Sequence, residues 1–154
     1  MSERDSKVSR IVVGADGSPS GLAALRWAVR QAAFTGAAVD AVIAWQYPAV
    51  ASGYAWAPVA VVESADYQEI AEKLVTEAIN SVLDPSSDVH VEAVVRHGNA
   101  AQVLIEAAAD ADLLVVGSRG HGGFAEALLG SVSQHCVHHA PCPVVVIRCA
   151  KDKI

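Results

Sequence analysis

The chain has 154 residues, 53% hydrophobic and 18% charged, which suits one domain with its own core and excludes a disordered chain. Eleven Lys and Arg against 17 Asp and Glu leave a formal net charge of -6, with no basic run anywhere. That balance argues against nucleic acid or an anionic membrane surface as a partner.

Aromatic residues make up only 5%, so the core is built from Ala, Val, Leu and Ile. No apolar stretch reaches the roughly 18 residues of a spanning helix. The first ten residues are polar, unlike the basic and then apolar order of a secretion signal. The three cysteines, Cys136, Cys142 and Cys149, are odd in number and crowd into the end of the chain, which is not a disulfide framework. The expectation is a soluble cytoplasmic protein with reduced thiols, with neither nucleic acid nor membrane among its partners.

Elements alternate along the chain. Residues 11–15 form a short continuous apolar run, the mark of a strand buried on both faces. Asp16-Gly17-Ser18-Pro19 follows, with Ser18 as a helix cap and Pro19 as the first helical residue. Leu22, Leu25, Val29 and Ala32 then recur at helical spacing until Gly36 stops the helix. Residues 39–45 are the second strand. The uncharged stretch 47–62 carries Pro48, Gly53 and Pro58 among Tyr47, Tyr54 and Trp56, and reads as a long loop, either a lid or a segment packed on its own domain or a partner.

Residues 63–83 form the longest predicted helix, with Ile70, Leu74, Ala78 and Val82 on its apolar face and Asp84-Pro85 at its end. Residues 89–95 are the third strand. Asn99 and Gln102 make a capping-box pair for the next helix, and residues 113–116 are the fourth strand. Ser131 and Gln134 form a second capping-box pair, for a helix ending near His139. Pro141 and Pro143 lead into the last strand, Val144–Ile147. Five strands alternating with four helices imply a single domain over 1–154, core 8–149: an open five-stranded parallel sheet, Rossmann-like, with helices on both faces.

Chemistry concentrates after the fourth strand, in Gly117-Ser118-Arg119-Gly120-His121-Gly122-Gly123, with Gly130-Ser131 directly before a helix. Glycines let backbone N–H groups approach a ligand closely, and a helix N-terminus adds free N–H groups and positive potential. Phosphate binding is the inference. The segment is not a P-loop, since no Lys-Ser or Lys-Thr follows the glycines. Gly120, Gly122 and Ala125 match the dinucleotide fingerprint only formally, because no acidic residue stands about 20 positions on.

Several residues carry a plainer reading. Asp16 either contacts a ligand or stabilises a turn with Gly17. Arg119 either contacts phosphate or is a solvated loop charge. His121 is read as an exposed loop residue rather than a base. His135 and His139, at i and i+4, sit near Cys136, His138 and Cys142, but no third ligand from another element is evident. Neither a metal site of protein ligands nor a catalytic residue is expected.

The arrangement Gly117-x2-Gly120-x9-Gly130-Ser131 resembles the nucleotide motif of the universal stress protein family, in its ATP-binding branch. Gly14-Ala15-Asp16-Gly17-Ser18 is similar to the family's acidic end of the first strand, and the run from Ala140 to Val146 looks like its closing strand. The resemblance covers nearly the whole chain. It implies the adenine nucleotide alpha hydrolase-like sheet, with strand order 3-2-1-4-5.

It also implies a site. Asp16 and the backbone near Gly14 would hold the ribose and adenine side, and Ala44 with Val116 would line the adenine pocket. Gly117 and Gly120 would wrap the phosphates, with Gly130, Ser131, Val132 and Ser133 on the terminal ones. The implied ligand is ATP, with Mg²⁺ or Mn²⁺ only as companion of the phosphates. The implied activity is stress-response regulation with at most slow ATP hydrolysis, and the implied assembly a homodimer through Val144–Ile147. A nucleotide-free dimeric interaction module and a cyclic-nucleotide (cAMP) binder are the alternatives. One departure is Ala100, where the family usually carries Pro.

Overall fold

The computed structural model describes residues 8–47, 64–119 and 129–148. The expected loop beyond Tyr47, and Gly120, His121 and Cys149, lie outside the described residues. The element order is β1 (Arg10–Gly14), α1 (Pro19–Thr35), β2 (Ala38–Trp45), α2 (Ser64–Val82), β3 (Val91–His97), α3 (Ala100–Ala107), β4 (Leu113–Gly117), α4 (Ser131–His139) and β5 (Val144–Ile147), with a 3₁₀ turn at Ala108–Asp110. The strands form one parallel sheet in the order β3-β2-β1-β4-β5.

Strand alternation divides the core in two. Ile11, Val13, Val39, Ala41, Ile43 and Val115 face Ala24, Leu25 and Ala28 of α1 and Ala71 and Val75 of α2. Val12, Val42, Leu114 and Val116 face Val103 and Leu104 of α3 and Cys136 of α4. Successive side chains of a strand point to opposite faces, so a continuous apolar run such as Ile11-Val12-Val13 supplies both layers.

The local signals act as their chemistry dictates. The Ser18 hydroxyl accepts the Gly21 N–H at 3.0 Å, capping α1 with Pro19 at its first position. Gly36 ends that helix with φ of 76°, where a side chain is disfavoured, and its N–H reaches the Ala32 carbonyl. The Asn99 side chain caps α3 through the Gln102 N–H at 3.2 Å. The reciprocal half of that box is not made, because Gln102 donates to Glu106 one turn on. Asp40, nearly buried in β2, is paired with Arg10 at 2.8 Å, as an enclosed carboxylate requires.

Two expectations are corrected. The third strand starts at Val91 rather than 89 and runs on to His97. The turn after α2 holds its beginning back: Asp84 accepts the Ser86 N–H at 2.8 Å and hydroxyl at 2.7 Å, and Ser87 Oγ accepts the Val89 N–H. Those Ser86 bonds also hold the Asp84 carboxyl below its ordinary range. In α2, Ile70 and Leu74 are 53% and 40% exposed, whereas Ala71, Val75 and Ala78 are buried. A four-residue step overshoots the 3.6-residue turn, so the sequence 70-74-78-82 winds off the face that 71-75-78-82 keeps.

Leu114 lies in β4 between β1 and β5 with none of its surface exposed. Leu114→Ala is expected to lower the unfolding free energy by about 3–5 kcal/mol, read from the shift of a urea melt.

Candidate functional site

In this strand order β1 and β4 are neighbours, yet the helices that follow them, α1 and α4, lie on opposite faces. A crevice therefore opens beyond the carboxyl ends of these two strands, the position where open α/β sheets take ligands. The cleft there has a volume of about 560 Å³, including the space at its mouth.

One wall is apolar: Val42 and Ala44 from β2, Val116 from β4, and Ala100 and Leu104 from α3. The polar lining comes from Asp16, Ser18, Arg119 and Ser133. Gly14 and Gly117, the last residues of their strands, form the floor between them. Ala15 also lines the cleft, its N–H tied to the Val42 carbonyl at 2.8 Å.

Asp16 has a clear local role. Its Oδ1 accepts the Ser18 N–H at 3.0 Å and the Ser18 hydroxyl at 2.5 Å, so the turn reading of this residue holds while its side chain also faces the cleft. The arrangement needs Gly21 one turn into α1, since a Cβ there would come within 2.5 Å of the Asp16 carboxylate. Gly17, with φ of 83°, makes the turn itself possible.

Gly117 is held still more tightly. A Cβ at this position would overlap the Ser20 hydroxyl and approach the Ser20 carbonyl oxygen to 2.7 Å. The glycine thus lets the start of α1 seat on the end of β4. Directly beyond it, the Ser118 N–H bonds Ile147 of β5 at 2.8 Å, and the Arg119 N–H bonds Ser20 Oγ at 3.2 Å.

The start of α4 corrects the sequence expectation. The cap is Gly130, with extended ψ of 167° and no side-chain bond, and Ser131 is the first helical residue rather than the cap. The cause is the Gly130 N–H, which bonds the Ser118 carbonyl at 2.6 Å and fixes Gly130 as the half-in residue. Ser133 reinforces this by donating its hydroxyl to the Gly130 and Ser118 carbonyls at 3.0 and 3.3 Å. Ser131, Val132 and Ser133 carry the first-turn amides, which have no acceptor inside a helix, together with the positive end of its dipole.

The fold therefore brings Gly14, Asp16, Ala44, Val116, Gly117, Arg119, Val132 and Ser133 to one cleft. Gly130 and Ser131 are not in its lining but lead directly into Val132. Gly120 lies outside the described residues. Sequence reasoning missed Ala15, Ser18, Gly21, Val42, Ile43, Ala100 and Leu104 as lining residues, and Ser20 altogether. The spacing of Ala100 and Leu104, at i and i+4 on a helix capped by Asn99, was the available signal for those two.

The thiols are muted. Burial pushes the Cys136 thiol up to about 11, and burial followed by the nearby Asp112 carboxylate raises Cys142. His135 and His139 are exposed with ring centroids 5.0 Å apart, and among the described residues no group of three His, Cys, Asp or Glu side chains is assembled to hold a metal.

Gly117→Ala is expected to destabilise the protein by about 1–3 kcal/mol in a urea melt, because the added methyl meets the Ser20 backbone as well as its hydroxyl, so moving the side chain alone cannot relieve it. Cys136 is expected to resist iodoacetamide at pH 8 in the native protein and to react on unfolding, read by mass spectrometry. A raised folded-state value favours the protonated thiol, so its contribution to stability is full below 9, the ordinary thiol value, and is lost as pH rises towards about 11.

Comparison with known proteins places these features. Residues 7–148 match the model of the universal stress protein family. A universal stress protein of Mycobacterium tuberculosis is 36% identical over 144 residues, covering 92% of this chain and 44% of its own length. The chain spans about half the length of the curated relatives it matches. The universal stress protein UspA from Lactobacillus plantarum superposes with a TM-score of 0.70 at 22% identity, over 93% of this chain and 99% of its own. A universal stress protein solved in complex with cAMP is 26% identical, with a TM-score of 0.58 over 94% and 100% of the two chains. A universal stress protein from Archaeoglobus fulgidus in complex with dAMP matches with a TM-score of 0.60 at 19% identity, over 92% and 98%. The strand order agrees with these matches: the chain belongs to the universal stress protein family.

Proposed function

We propose that the cleft beyond β1 and β4 binds an adenine nucleotide, and that ATP is its principal ligand. The observation that carries this reading is the division of one cleft into an apolar wall and a polar side next to the N-terminus of α4. An adenine ring suits the slot between Ala44, Val116 and Leu104, and the Asp16 carboxylate suits a ribose hydroxyl. Phosphates suit Arg119 and the first-turn amides of Ser131, Val132 and Ser133, with the backbone of Gly117 and Gly120 alongside and Mg²⁺ or Mn²⁺ as counter-ion.

Chain features divide these roles further. The N–H groups of Arg119 and Gly130 are already donated within the protein, so the phosphate share falls to the start of α4 and the Arg119 side chain. A cyclic monophosphate is the second reading. It is favoured by the relative solved with cAMP and by a polar side that offers, among the described residues, one cationic side chain.

The protein is proposed to act as a cytoplasmic nucleotide-dependent regulator in stress, with hydrolysis slow at most. Its proposed assembly is a homodimer through Val144–Ile147, because β5 ends the sheet as an apolar edge that needs cover.

The test is mass spectrometry of small molecules released on denaturing freshly purified protein, followed by titration with ATP, AMP and cAMP. Near-stoichiometric adenine nucleotide supports the reading, and the order of affinities separates the triphosphate from the cyclic monophosphate. Saturating ligand at 100 times its Kd should raise stability by about 2.7 kcal/mol. Ala44→Phe, which fills the apolar slot, should keep the parent circular dichroism and weaken binding at least about tenfold. A folded parent protein that binds none of the three would favour the nucleotide-free interaction module.

A further inference from the structure

Two buried hydroxyls grip the chain on either side of residues 120–128. Ser20, in the first turn of α1, accepts the Arg119 N–H at 3.2 Å. Ser133, in the first turn of α4, shares its one proton between the carbonyls of Gly130 at 3.0 Å and Ser118 at 3.3 Å. The Gly130 N–H bonds the same Ser118 carbonyl at 2.6 Å, and the Ser118 N–H is anchored to β5. Entry and exit of the segment thus meet at one peptide, held from α1, α4 and β5 at once.

We infer that Ser20 and Ser133 are positioning residues that pin Arg119 and Gly130 and so hold the first-turn amides of α4 in place for an anion. A proton given to two carbonyls is not available to a phosphate, so Ser133 acts through the backbone it ties down. Ser20 acts at greater remove, from the face of the sheet opposite α4. A base fixed before binding removes an ordering cost that the ligand would otherwise bear. The consequence for affinity rests on the nucleotide reading above, whereas the pinning itself does not.

Trypsin tests both parts on the full chain. Arg119 is the one Lys or Arg between Arg96 and Arg148, so cleavage after it gives a distinctive fragment pair. Without nucleotide, Ser20→Ala and Ser133→Ala are each expected to be cleaved after Arg119 about fivefold to tenfold faster than the parent, through easier local opening. Cleavage after Arg30 in α1 and Lys73 in α2 should keep the parent rate. Ser133→Thr should restore slow cleavage after Arg119, since a threonine hydroxyl reaches the same carbonyl one turn back. In titrations the alanine variants should lose affinity for ATP by a similar factor and keep it for adenosine.

Parent-rate cleavage after Arg119 in both alanine variants would overturn the inference. So would acceleration at all three sites together, which marks general loosening, or an equal loss of ATP and adenosine binding. A parent protein that binds neither compound sinks the nucleotide reading alone, and the proteolysis still decides whether the two serines pin Arg119 and Gly130.

Discussion

The close seating of α1 on the end of β4 is the contact on which the site depends, and it exists because Gly117 has no side chain. Ser20 occupies the space a Cβ would need. With α1 in that place, Ser18 and Asp16 close the turn after β1, and Gly21 leaves room for the Asp16 carboxylate. With Gly17 supplying the positive φ of the turn, three glycines fix one helix start, for three different reasons. The cleft beyond the two strands is what remains between that helix start and the one on the opposite face.

The same economy governs the backbone. A glycine-rich segment after a strand suggests many amides aimed at an anion, but the Ser118, Arg119 and Gly130 N–H groups all have protein acceptors. Buried amides are rarely left without a partner, and here the partners are a strand, a serine and a neighbouring carbonyl. The amides left over are those of the first turn of α4, where helix geometry itself leaves N–H groups without acceptors. The glycine motif, on this view, serves as much to let the chain fold back on itself as to touch a ligand.

Away from the cleft, the thiols are held protonated by burial. Cys136 is packed into the core with its thiol proton strongly held, and Cys142 is shifted in the same direction. Among the described residues no helix is long and apolar enough to cross a membrane. The apolar wall of the cleft is built from the same strand residues that continue the α3–α4 core, so the wall is continuous with that core.

The sequence alone carried the fold. The apolar runs of β1 and β4, the caps at Ser18 and Asn99 and the stop at Gly36 are local effects, readable because neighbouring residues cause them. Periodicity carried α2 but misjudged its buried face, since small errors in angular step accumulate along nineteen residues. Strand order came from resemblance to a family, and eight residues of the implied site do line one cleft. What only the tertiary structure decided is how groups distant in sequence satisfy one another. Ser20 meets Arg119 across 99 positions, and the Ser118 carbonyl displaces Ser131 from the cap of α4 by fixing Gly130. No local propensity encodes such contacts, because each requires a strand end and a separate helix start to be brought together first.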